Sequence, residues 1–218
     1  MSKSRIRKEK IALTQDQIDD FLKSIKNDKN KKGNLKRHNE RNYRMALTWF
    51  SVGFRVSEIV NFQVDWIERS GENFFIHIKN NNKPYAFKPK YGSTRRIAIN
   101  KKLYKELMLH LAGRKTGYVF MPQTTKQYSR FHDKAIISMF NEYFKKTESI
   151  GRNLGSHTFR RTFASQLATS HPPVPIPKIS YYLGHKQIET TIIYLRQIKT
   201  DDHTELLSAD YLNQLLKY

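Results

Sequence analysis

Apolar residues recur at helical spacing along most of this chain. Ile18, Phe21, Leu22 and Ile25 follow Thr14-Gln15-Asp16-Gln17, a segment with the form of a capping box, and together they predict a helix of about three turns. Lys26 to Arg41 is rich in Lys and Asn around Gly33 and reads as a polar linker. Tyr43, Ala46, Trp49 and Phe50 predict a second helix from about Glu40 to Ser51, stopped at Gly53, and Ser57-Glu58-Ile59-Val60 opens a short third. Between about Trp66 and Asn100 the period changes to two. Phe74/Ile76/Ile78 and Ile97/Ile99 alternate, with turns at Asn80-Asn81-Asn82 and Tyr91-Gly92-Ser93, which predicts a three-stranded antiparallel sheet.

The helical period resumes with Leu103, Leu107 and Leu111 and ends at Gly113. Tyr118-Val119-Phe120 is a short apolar link, and a helix is expected from about Tyr128 to Lys146. Ser156 is placed to cap a helix carrying Phe159, Phe163 and Leu167, which the proline-rich stretch His171 to Pro177 breaks. Further helices are expected up to Leu183-Gly184, over Thr190 to Ile198, and through Leu206, Leu207, Tyr211 and Leu215. The expected class is α+β, mainly helical, with one small three-stranded antiparallel sheet and no internal repeat.

Composition narrows the partners. The 218 residues carry 40 Lys and Arg against 19 Asp and Glu, a net charge of +21, which attracts polyanions. Residues 1–45 hold 14 basic and 6 acidic side chains; a solvated tail and a basic arm on DNA explain that charge equally well. With no cysteine, disulfides, thiol nucleophiles and thiolate metal sites are excluded. No apolar run approaches the roughly 18 residues of a membrane span, and Ile11-Ala12-Leu13 is too short for a signal peptide. At 38% hydrophobic residues the chain can still bury a core. The expectation is a soluble cytoplasmic protein that seeks a polyanion, nucleic acid or an anionic membrane surface.

Singly, the polar candidates have ordinary readings. Arg55 fits a surface charge, Lys90 an edge lysine that blocks strand pairing, His157 and His185 satisfied core histidines, and Tyr194 a core tyrosine bonded to a carbonyl. Together they suit one task. His157-Thr158-Phe159-Arg160 puts an imidazole and a guanidinium on one helix face, His185 follows His157 by 28 residues, and Tyr194 follows His185 by nine. Upstream lie Gly53-Phe54-Arg55-Val56-Ser57-Glu58 and the hairpin segment Pro89-Lys90-Tyr91-Gly92. Two Arg, one Lys, two His and one Tyr form a competent set for displacement at a phosphodiester. Arginine forks stabilise charge on the non-bridging oxygens, a tyrosine hydroxyl attacks once its proton is removed, and a lysine protonates the departing oxygen.

The ordered set Gly-x-Arg-x-Ser-Glu, hairpin Lys, His-x-x-Arg, Leu-Gly-His and Tyr resembles the catalytic domain of the tyrosine recombinases, or phage-type integrases, over about Met45 to Tyr218. The resemblance implies a site-specific recombinase that cuts and rejoins double-stranded DNA without metal, ATP or other cofactor. Tyr194 would form a 3′-phosphotyrosyl bond, and Arg55 and Arg160 would clamp the scissile phosphate. Lys90 would be the general acid, His157 a base or hydrogen-bond partner, and His185 a further phosphate ligand. Glu58 would buttress Arg55. Four protomers would exchange strands on DNA, with the Leu206–Leu216 helix docking into a neighbour or packing on its own core.

Three features depart from the family pattern. Residues 1–40 form only a short basic segment with one helix, without a full core-binding domain, before a catalytic domain at 41–218. Lys90 sits between Pro89 and Tyr91 rather than beside a glycine; Lys88 is a near alternative, and Arg95 and Arg96 could share the phosphate load. Arg161 follows Arg160 where the family often has histidine. The competing readings are a type IB topoisomerase-like or telomere-resolvase activity, and a catalytically silent DNA-binding protein of the same fold. Tyr181-Tyr182 reads as helix packing and His203 as surface.

Overall fold

The computed structural model describes residues 11–28, 35–122 and 129–196. Helices α1 (Gln15–Lys26), α2 (Leu35–Val52) and α3 (Val56–Val60) come first. Strands β1 (Ile67–Ser70), β2 (Asn73–Ile78) and β3 (Arg95–Ile99) follow, then α4 (Lys101–Leu111), α5 (Asp133–Lys146), α6 (His157–Thr169), α7 (Ile176–Leu183) and α8 (Ile188–Arg196). The strands form one antiparallel sheet in the order β1-β2-β3, with Ile76 opposite Ile67 on one side and Ile97 on the other. The mainly helical α+β reading holds. The expected helix through Leu206 and Leu215, and His203, lie outside the described residues.

An aromatic core joins the helices. Trp49 of α2 stacks on Phe159 of α6 at 4.3 Å with the rings 4° from parallel, and Phe21 of α1 stacks on Phe144 of α5 at 4.4 Å. Such pairs add about 0.5–1.5 kcal/mol each beyond their buried area. The same core takes in Leu13, Ile18 and Ile25, so the first helix packs with the rest. The Leu13 amide donates to Thr162 Oγ1 of α6 at 3.0 Å, and the capping box of α1 forms as expected, with Thr14 and Gln17 capping each other's backbone.

Three boundaries differ from the sequence reading. Helix α2 begins at Leu35 rather than about Glu40, inside the stretch read as linker. Residues 37–42 of its early turns are all polar and offer no apolar stripe that would reveal them; they are held by polar bonds instead, with Asn39 donating to the Asp28 carbonyl, Arg41 to the Met121 carbonyl and Arg44 to Glu40 and Glu106. Helix α5 starts at Asp133, where the His132 side chain accepts from the Lys134 amide. Ser156 does not cap α6: its backbone is already helical (φ −64°, ψ −26°), whereas a capping side chain needs an extended residue.

Candidate active site

Two tight turns, one after α2 and one after α7, build the site. Gly53 ends α2 in the left-handed region (φ +64°), and a Cβ there would lie 2.3 Å from Phe163 Cδ1, so only glycine fits. Trp49 Nε1 donates to the Phe54 carbonyl at 2.7 Å and fixes this turn to the core. Gly184 ends α7 at φ +60°, and its would-be Cβ meets Ser93 Oγ at 2.9 Å.

Arginines stitch the two turns together. Arg160 is 4% exposed and donates to the carbonyls of Gly53, at 2.8 Å, and of Leu183. Arg55 donates to the Gly184 carbonyl at 2.9 Å and to Glu58 Oε1 at 3.0 Å, while its own amide donates to Glu58 Oε2 at 2.7 Å. Each guanidinium is thereby held by bonds to the turns, and both residues line one cleft. Burial, then Arg55, lower the pKa of Arg160 to about 9, which leaves it cationic at neutral pH.

Glu58 is fully buried behind these arginines. Burial pushes its carboxyl up, but Arg95, Arg160 and Arg55 outweigh that and hold it at about 2. Its main partner is Arg95, bound through two bonds of 2.9 and 2.8 Å, and Arg95 Nε donates to the Tyr182 carbonyl. Arg95 is thus internal scaffolding and cannot share a phosphate load. Arg96 leaves that role too, because it pairs with Glu68 and covers the Phe75 ring. The sequence carried a signal for Arg95: it shares the inward register of Ile97 and Ile99, and an inward arginine needs an acid partner.

One cleft of about 320 Å³ gathers Arg55, Lys90, His157, Arg160, His185 and Tyr194, lined also by Ser57 and Ser156. Lys90 enters from the short 3-10 turn Lys90–Gly92 between β2 and β3, in which Tyr91 adopts φ +61°. Lys88 is exposed and does not line the cleft. Tyr181 and Tyr182 also lie elsewhere: the Tyr181 hydroxyl accepts from the Arg96 amide, and Tyr182 packs against the core.

The titrating groups are tuned by burial and cations. Burial, with Arg160, Arg55 and Arg95, lowers His185 to about 4, so its ring is neutral at pH 7. His185 Nδ1 lies 2.9 Å from Thr191 Oγ1; in the tautomer where the Thr191 hydroxyl donates that bond, the ring proton sits on Nε2 as a donor. His157 is lowered by burial and then by Arg161, Arg160 and Arg55. Burial raises Tyr194 while Arg160 and Arg161 lower it in part. The Tyr194 hydroxyl is buried with no hydrogen-bond partner, and the Tyr194 ring stands edge-on to the His185 ring with centroids 5.7 Å apart. A buried hydroxyl left unpaired costs about 1–3 kcal/mol, a cost that a reacting group offsets by its use.

The family model described as the phage integrase family matches residues 12–200. The chain belongs to that family. Tyrosine recombinase XerA of Pyrococcus horikoshii is 27% identical over 176 residues, 80% of this chain and 56% of that protein. The chain therefore spans a little over half of this curated relative. A crystal structure of XerA recombinase superposes with a TM-score of 0.65 at 19% identity, over 100% of this chain and 66% of the other. The Tn1549 transposon integrase in complex with transposon right end DNA gives 0.67 at 19% identity, over 99% and 67%. XerH site-specific recombinase bound to difH gives 0.63 at 19%, over 89% and 52%. These superpositions establish the phage integrase fold. Among the described residues no helix is long and apolar enough to cross a membrane.

Proposed function

We propose that this phage integrase family member is a site-specific DNA recombinase that cleaves and rejoins double-stranded DNA through Tyr194. The observation that carries the reading is the partnerless Tyr194 hydroxyl, buried at a cleft whose polar lining is Arg55, Lys90, His157, Arg160 and His185. Only a dianionic or anionic group of several oxygens would satisfy so many donors at once, and a phosphodiester supplies it.

The Tyr194 oxygen attacks phosphorus, forming the 3′-phosphotyrosyl bond as the bond from phosphorus to the 5′ oxygen breaks. The tyrosine proton passes to His157, neutral and able to accept it, and Lys90 gives a proton to the 5′ oxygen. Arg55 and Arg160 hold the non-bridging oxygens, and His185 donates through Nε2. Because both arginines are already fixed to carbonyls of the two turns, they need no reorganisation as charge builds. Glu58 buttresses Arg55. The N-terminus of α6, with Ser156 and His157 in the cleft, adds its dipole to the same anion. Rejoining runs the sequence backwards, which conserves bond energy and requires no ATP.

In this reading the catalytic apparatus lies within residues 41–218, α1 supports it from the core, and protomers assemble as a tetramer on nucleoid DNA. The test incubates the protein with supercoiled plasmid carrying the flanking DNA of its own gene, in EDTA, and quenches with detergent. Covalent protein–DNA adduct from wild type and none from Tyr194→Phe supports the reading. Bound DNA without adduct supports a silent DNA-binding protein instead, and relaxed plasmid without recombinant product supports a topoisomerase-like activity.

A further inference from the structure

Behind His185 sits a buried hydroxyl that the reaction described above does not use. Thr191, in the first turn of α8, is fully buried, and its Oγ1 lies 2.9 Å from His185 Nδ1. Threonines elsewhere in these helices follow another habit: Thr48, Thr158 and Thr169 each donate to the carbonyl four residues back, at 2.7, 3.1 and 2.9 Å. Thr191 departs from it, and among the described residues His185 is the sole hydrogen-bond partner of its side chain.

This placement ties two elements of the site together. The His185 amide donates to the Ser180 carbonyl at 3.1 Å, so the end of α7 holds its backbone while α8 holds its ring. Thr191 precedes Tyr194 by three residues, which puts both on one face of α8, and the Tyr194 ring stands edge-on to His185. His185 lines the cleft and Thr191 does not, so the hydroxyl reaches the site through the imidazole. A neutral imidazole carries one N–H, and the bond made by one ring nitrogen sets which nitrogen holds it. If Nδ1 were the donor, the Thr191 proton would be left buried without an acceptor, which folded proteins avoid. Unprotonated Nε2 would then also set a lone pair against the oxygens of an anion in the cleft.

We propose that Thr191 is a positioning residue: its hydroxyl donates to His185 Nδ1 and holds the imidazole in the form whose proton is on Nε2, a donor for the anionic oxygens of the substrate phosphodiester. This rests on the recombinase reading of the cleft. One face of α8 thus carries both the proposed nucleophile and the hydroxyl that orients the proposed phosphate ligand. A ring freed of that bond can turn over or change tautomer, and either change presents an unprotonated nitrogen where a donor is needed.

The experiment reads the bond and its consequence separately. In the free protein at neutral pH, labelled with nitrogen-15 histidine, proton–nitrogen NMR shows which ring nitrogen is protonated, the His185 signals being those missing from His185→Asn. The wild type is expected to carry the proton on Nε2, with Nδ1 shifted as a hydrogen-bond acceptor. Thr191→Val, close in shape but without the hydroxyl, is expected to abolish that shift and Thr191→Ser to restore it. A wild-type proton on Nδ1 overturns the proposal without recourse to any variant, and so does an Nδ1 signal that Thr191→Val leaves unmoved. In the adduct assay, Thr191→Val is expected to cleave about tenfold more slowly, the scale of one hydrogen bond, with DNA binding within about twofold and most of the rate recovered in Thr191→Ser. In a His185→Asn background, Thr191→Val is expected to slow cleavage no further. A wild-type rate from Thr191→Val, or the same loss in both backgrounds, overturns the proposal. Absence of adduct from wild type overturns the recombinase reading alone, since the NMR signals of the free protein stand independently of it.

Discussion

Glu58 grips Arg95 with two hydrogen bonds of 2.9 and 2.8 Å while its oxygens also take the side chain and amide of Arg55. One buried carboxylate thus serves two arginines, one inside the fold and one at the cleft. Removing its charge strands Arg95 without a counter-ion. Glu58→Gln is expected to lose about 3–5 kcal/mol in urea unfolding, the usual cost of breaking a buried pair. Glu58→Gln with Arg95→Met is expected to recover much of that stability but not DNA cleavage, because Arg55 still lacks its anchor. Recovery of cleavage in the double variant would show that Arg55 needs no such anchor.

Acid acts on the fold in two windows. Glu58 is depressed from 4.5 to about 2, so its stabilising contribution is complete above 4.5 and is lost as pH falls through about 2. His185 is depressed from 6.5 to about 4, so the unfolded chain takes up its proton first and stability falls as pH drops from 6.5 through about 4. His110, buried and held at about 4, acts in the same direction. His185→Asn is therefore expected to flatten part of the stability decline between pH 6.5 and 4 and leave the decline below 4.5 in place. Unfolding midpoints measured across pH check this, and an unchanged upper window would contradict it.

Gly53 meets two constraints at once, a positive φ and the Phe163 ring where a Cβ would stand. Gly53→Ala is expected to cost about 1–2 kcal/mol for the backbone and a further 1–3 kcal/mol or so for overpacking. Its carbonyl anchors Arg160, so adduct formation should fall by more than the folded fraction does. A loss of activity that only tracks the folded fraction would show that Arg160 holds its place without that carbonyl.

The unpaired Tyr194 hydroxyl predicts an opposition between stability and activity. Tyr194→Phe removes a buried oxygen that has no partner, so thermal or urea unfolding should show no loss of stability, with a gain of up to about 1–3 kcal/mol. A clear loss would mean that the hydroxyl is bonded within the folded protein.

The strongly periodic elements were legible from sequence, and so was the gathering of the cleft residues. The sheet alternation, the α1 capping box and the stop at Gly53 all follow from local chemistry that tertiary contacts do not overrule. The start of α2 was not legible, because Asn39, Arg41 and Arg44 are held by partners distant in sequence rather than by an apolar stripe. Arg95 was misread for a related reason: in so basic a chain an arginine looks like a phosphate ligand until its buried acid is found. Arg161 stood out in the sequence only as an arginine where the family often has histidine; that its Nε has no hydrogen-bond partner is visible only in the packing.

The most direct test of the central claim is to locate the covalent bond. Adduct trapped on plasmid would be digested with nuclease and protease and the modified peptide sequenced by mass spectrometry. The account predicts a nucleotide 3′-phosphate on the hydroxyl of Tyr194, within the α8 peptide. A nucleotide carried instead by Tyr181, Tyr182 or any other residue would contradict it.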